Sequence, residues 1–219
     1  MILRFLPLTI CLVASTARAQ AKPRTADLPR AFRSLAGVAL NRDSARSIRL
    51  KLGAAPASHV GSGHDSYVTW CYRAQPGDSL ITLELMSDNS DMGTRGHALN
   101  VIRRRSRPPG RAPTCSDLPA GRPLSTPGGL RLGLSRTDVE RLLGVPTRRA
   151  GDSLHYEFIS KEFMDRSSAA YKHWNTPTYR KECFAGGEPY SDVGADVTVV
   201  FRDDRAIEIR LERYDQATC

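Results

Sequence analysis

Aromatic residues make up only 7% of the 219-residue chain. None interrupts its main arginine run, which removes the stacking platform that single-strand nucleic-acid binders use. Past the N-terminus there is no run of about 20 apolar residues, the length needed for a helix to cross a bilayer. No Cys-x-x-Cys pair occurs, so the usual zinc and thioredoxin spacings are missing. No Gly-x-Ser-x-Gly elbow is present. Ser87-Asp88-Asn89 copies one β-lactamase element without the Ser-x-x-Lys and Lys-Thr-Gly partners that would give it meaning. The phosphate loop Gly-x-x-x-x-Gly-Lys-Ser/Thr is absent, and the Gly61 to Ser66 stretch lacks the third glycine of a dinucleotide turn. Asp88 to Gly93 fails the calcium-loop register, because its oxygen side chains do not alternate and no Glu follows at the right place. No cofactor and no metal centre is therefore read from the sequence.

What is present begins with an export signal. Arg4 precedes an apolar stretch from Phe5 to Ala14, and Ala17-Arg18-Ala19 fits the small-x-small cleavage rule. Residues 1–19 read as a signal peptide, and the processed chain is expected to be secreted or periplasmic. Cys11 lies inside the apolar run, behind Ile10, where a lipobox requires a small residue.

Cleavage leaves Cys71, Cys115, Cys183 and Cys219, an even number in an oxidising compartment, which argues for two disulfides. If each half of the chain closes on itself, the pairs are Cys71–Cys115 and Cys183–Cys219. Cys115 and Cys219 each trail the last strand of their half, so a bond between those two is the rival.

Hydrophobic periodicity divides the chain into similar halves. In the second, Ser135 caps a helix, Asp138 completes a capping box, and Val139, Leu142 and Leu143 form an apolar face before Gly144 and Pro146 stop it. In the first, Asp43 or Ser44 caps, Ala45, Ile48 and Leu52 line one face, and Gly53 and Pro56 end the helix. Strands follow both helices. Val197, Val199 and Phe201 alternate with polar residues, Asp203-Asp204 turns the chain, and Ile207, Ile209 and Leu211 alternate on the way back. Leu80 to Met86 and Ala98 to Ile102 are the first-half counterparts. The expected fold class is α+β, two tandem repeats, each a helix packed on a small antiparallel sheet. The repeats span 25–107 and 128–219, with a Pro/Gly-rich linker over 108–127 and an insertion at 160–193.

The string Leu130-x-Leu-Gly-Leu-Ser-x-x-x-Val-x-x-Leu-Leu-Gly-x-Pro146, followed by Tyr156 and by a strand ending at Phe201 before an Asp-Asp turn, resembles the BamE/SmpA-type domain of the bacterial outer membrane. The doubled arrangement is similar to the β-lactamase-inhibitor-protein superfamily. The resemblance implies a bacterial envelope or secreted protein that works by binding. Its motif describes a helix with its cap and stop, so it transfers no contact residues.

Three surfaces are candidates for function. Arg103, Arg104, Arg105 and Arg107 form the densest charge run in a chain of net charge +9. Their forks suit the phosphates of lipid head groups or lipopolysaccharide, and otherwise the run is a solvated strand end. The 160–193 insertion concentrates aromatics, with Tyr171, Trp174, Tyr179 and Tyr190 as candidate partner-binding residues, or else it is a satellite core. His59, His64 and Asp65 are the ligands that a metal-dependent hydrolase would use. A non-catalytic binding role through the exposed sheet face and the 160–193 insertion, toward an envelope protein or an anionic envelope component, is preferred over catalysis. The anionic-lipid binder and the hydrolase are the alternatives, and nucleic acid is the poorer partner.

Overall fold

Ser44 accepts a hydrogen bond from the Ser47 amide at 3.4 Å, and Ser47 Oγ accepts one from the Ser44 amide at 2.8 Å, so two serines close a capping box. The computed structural model that shows this describes residues 27–40, 42–60, 67–74, 80–88, 101–107 and 114–216. A 3-10 turn at Arg30–Phe32 leads into a small hairpin of β1 (Ser34–Leu35) and β2 (Val38–Ala39). Helix α1 (Ala45–Leu52) follows, then β3 (Ala57–Val60), β4 (Tyr67–Ala74), β5 (Leu80–Asp88) and β6 (Val101–Arg107). The rest of the chain forms β7 (Ser116–Asp117), α2 (Arg136–Leu143), β8 (Arg148–Ala150), β9 (Ser153–Phe163), α3 (Ala169–Trp174), α4 (Pro177–Cys183), β10 (Tyr190–Arg202) and β11 (Arg205–Gln216). The signal-like residues 1–19 lie outside the described residues.

Both helix signals produce helices of two turns. Helix α1 buries Ile48 and Leu52 and leaves Ala45 exposed. Asp43 is not its cap. Its carboxylate is buried, accepts the Ala39 amide at 2.7 Å and pairs with Lys51 at 2.7 Å. These hydrogen bonds outweigh burial and hold its pKa below the usual carboxylate range. Helix α2 starts where Ser135 accepts the Asp138 amide at 3.1 Å and ends at Gly144, whose φ of +77° suits a residue without Cβ. Val139 and Leu143 point into the core, but Leu142 stays 37% exposed.

The strands overturn the expected fold class. Two tandem α+β repeats, each with its own small sheet, do not describe the molecule, which is dominated by strand. Nine strands form one continuous sheet in the order β3-β4-β5-β6-β11-β10-β9-β8, with β7 added in parallel to β4. The joint is the antiparallel pairing of β6 with β11, from Glu208 opposite Arg105 to Glu212 opposite Val101. The physical reason lies in the edges. β5 fills one side of β6 and β10 one side of β11, so each strand had a row of unpaired amides and carbonyls that the other satisfies.

Helices α1 and α2 and the 27–40 segment cover one face of this sheet. Ile48, Leu52, Val139 and Leu143 share a buried cluster with Leu83, Val197, Ile209 and other strand residues. Asp203 and Asp204 both take positive φ, +49° and +56°, as a two-residue hairpin turn demands. An irregularity after Val200 sets Phe201 opposite Ala206. Ala206 is therefore buried and Ile207 only half-buried, contrary to the simple alternation read for this strand.

Candidate functional site

Strand alternation sorts β10 into two sides. Val193, Ala195, Val197 and Val199 are buried in the core. Tyr190, Asp192, Asp196 and Thr198 occupy the opposite face and are half-buried. Register then builds an acidic row across three strands, because Asp196 stands opposite Glu157 on β9 and Glu212 on β11. Arg210 pairs with Glu212 at 2.8 Å. Burial first, and then the charges of Glu157 and Glu212, push the Asp196 carboxyl up to about 6, with Arg210 opposing. One row further along, His155 is hydrogen-bonded on both ring nitrogens, to Ser153 Oγ at 2.9 Å and to Thr198 Oγ1 at 3.2 Å. Ser153 donates its own proton to the Ala150 carbonyl at 2.7 Å. Because its own proton goes to Ala150, Ser153 Oγ is placed as an acceptor toward His155 Nε2. Burial, and then Arg148, lower the His155 pKa.

These side chains line an open cleft of about 300 Å³ formed by Thr147, Arg148, His155, Glu157, Asp196 and Thr198. The carboxylates do not converge on a point. Among the described residues no group of three or more His, Cys, Asp or Glu side chains is placed to hold a metal ion. Further along the same face, Gly194 leaves room for the Tyr214 ring. A Cβ at Gly194 would lie 2.2 Å from that ring.

The 160–193 segment is a ribbon with a cap. β9 and β10 continue to the Phe163–Tyr190 pair, flanked by β11 as far as Asp192, and α3 and α4 fill the excursion between them. Ser168 caps α3 through the Tyr171 amide at 3.0 Å. Thr176, followed by Pro177, caps α4 through the Tyr179 amide at 3.3 Å. Trp174 sits at the centre, with ring centroids 4.9 Å from both His173 and Tyr179 and 6.4 Å from Phe184. Phe184 is buried and packs edge-on against Tyr190 at 5.4 Å, which carries the cluster to the end of the polar sheet face. The Lys161 ammonium lies 4.0 Å from the centroid of the Tyr190 ring. Tyr171, Trp174, Tyr179 and Tyr190 are all half-buried. Trp174, Tyr179 and Tyr190 share these ring contacts while remaining half-buried.

The arginine run is not wholly a solvated strand end. It lies within β6, at the joint of the sheet, and neighbouring residues must face opposite sides. Arg104 stands opposite Leu83 and Ile209 on the core side and is 5% exposed. Its Nε and Nη1 have no hydrogen-bond partner among the described residues. Burial, and then the nearby Arg131, push its pKa down to about 10. Arg103 and Arg105 occupy the alternate register positions, opposite Glu84 and Thr82, and Arg107 ends the strand. Cys71 and Cys115 form a disulfide with Cα atoms 4.7 Å apart. Cys183 is also disulfide-bonded, and its expected partner Cys219 lies outside the described residues. His59 is placed in β3 opposite Val68, whereas His64 and Asp65 lie outside the described residues.

Glu157, Asp196 and His155 escaped the sequence reading. They fit no motif spacing; His155 and Glu157 share one face of β9, and only strand register brings Asp196 to them. The polar half of each alternating strand was the one available signal. Among the described residues, no helix is long and apolar enough to cross a membrane. No family model, no curated protein and no solved structure matches this chain.

Proposed function

We propose that this protein is an exported bacterial envelope component, periplasmic or secreted, that works by binding another envelope protein and not by catalysis. One observation carries the reading. The polar face of the sheet and the aromatic excursion meet at Tyr190, which packs against Phe184 of the excursion and lies on the same side of β10 as Asp196. This junction joins half-exposed Trp and Tyr side chains, the residue types that dominate binding hot spots, to a row of charges that can select a partner. The Cys71–Cys115 disulfide supports an oxidising compartment. Of the alternatives, the anionic-lipid reading of the β6 arginines loses Arg104 to the core.

The test is capture from envelope extract with the oxidised chain, compared with Trp174→Ala and Thr198→Arg variants checked for folding by circular dichroism. The expected result is one partner retained by the parent chain and lost by both variants. A partner set that neither substitution alters sinks the reading.

A further inference from the structure

Four arginines, three from the 30–42 stretch and one from far along the chain, line one cleft. Arg30, Arg33 and Arg42 come from the 3-10 turn and the β1–β2 hairpin region, and Arg213 comes from β11. With Ser34, Ala39 and Leu40 they enclose about 330 Å³, within the range of about 300–1,000 Å³ usual for ligand sites. Acids compensate only part of this charge. Asp27 pairs with Arg33 at 2.6 Å, and Glu162 pairs with Arg213. Arg30 and Arg42 are exposed and form no ion pair with any described residue.

Arg213 is the informative member. It is 7% exposed, and its Nε has no hydrogen-bond partner among the described residues. Burying a guanidinium costs several kcal/mol unless its donors are satisfied. Glu162 takes one Nη group, and a buried donor is left over beside the cleft. Four arginines set against two carboxylates leave about two positive charges, the charge that a phosphate monoester neutralises with its three acceptor oxygens. Guanidinium forks match those oxygens pairwise.

We infer that this cleft binds a phosphate monoester group, with Arg213 as the buried anchor and Arg30 and Arg42 as the outer clamp. The site lies on the helix-covered side of the sheet, since Arg213 alternates with Tyr214 and follows Leu211 on the core face. It stands independently of the partner-binding surface. The phosphate is carried either by a soluble ester or by a lipid headgroup, and the two sources are separable.

The processed, oxidised chain is titrated calorimetrically with inorganic phosphate and with pyrophosphate, against chloride at matched ionic strength. In parallel it is sedimented with vesicles of equimolar phosphatidylcholine and phosphatidic acid, and with phosphatidylcholine vesicles alone. Phosphate-specific binding that weakens at least about tenfold in an Arg30→Ala/Arg42→Ala double variant is expected for a soluble ester. Binding to the phosphatidic acid vesicles alone, lost in the same variant, supports the site and places the phosphate on a lipid. Arg213→Lys keeps the charge, removes Nε, and is expected to weaken either binding by about tenfold. Should that variant not fold, the double variant, altered only at exposed positions, decides. No binding to any phosphate probe, or binding that neither variant changes, overturns the inference.

Discussion

Asp196 on β10 and Glu212 on β11 stand at the same register, so two carboxylates face each other across a single strand gap. Glu157 presses from the other flank. Like charges directly opposite each other destabilise a sheet, and this row persists because the strands beneath it are fixed by their buried side.

That relationship sets a pH dependence. The ordinary Asp value is 3.8, and the folded state raises it to about 6. A raised carboxyl pKa means that the folded chain holds its proton more tightly than the unfolded chain. The contribution of Asp196 is therefore most favourable below about pH 4 and declines as pH rises through about 6. Asp196→Asn is expected to stabilise the protein by about 1–2 kcal/mol near neutral pH, after allowance for solvent screening, and by nothing near pH 4. Urea unfolding of both chains at the two pH values measures this, and equal differences at both would refute it.

Arg104 is a charge inside an apolar layer, opposite Leu83 and Ile209 and close to Arg131. Replacing buried ionic groups with apolar residues of similar volume is often stabilising. Arg104→Met is expected to raise the unfolding free energy by about 1–3 kcal/mol without altering the fold. A destabilisation of similar size in denaturant melts would mean that Arg104 has a counter-ion which the described residues do not supply.

The Cys71–Cys115 bond closes a sequence separation of 44 residues and ties the 114–117 segment to β4. A Cys71→Ala/Cys115→Ala variant is expected to lose about 2–4 kcal/mol, mainly through the entropy regained by the unfolded chain. Calorimetric melting of the variant beside the oxidised parent measures the loss. A variant as stable as its parent would show that the strap is held by packing alone.

Local signals were legible residue by residue. Ser135 and Gly144 delimit α2, Asp203-Asp204 turns the hairpin, and Val197, Val199, Ile209 and Leu211 mark a buried side, because each depends on neighbours within a few positions. Ile207 was misread because one irregularity after Val200 hands its place to Ala206. Arg104 was misread because a run of arginines suggests water, whereas a strand paired on both sides sends alternate residues to the core.

The amino-acid order alone determined where α1 and α2 start and stop, which positions of the central strands are apolar and how many cysteines are available to pair. Only the tertiary structure decided that β6 meets β11, and therefore that one sheet replaces two. Only register and chain return brought Glu157 to Asp196, and Arg213 to Arg30, Arg33 and Arg42. Pairing between distant strands is chosen by the edges and faces left unsatisfied once local structure has formed, and no stretch of sequence records that remainder on its own.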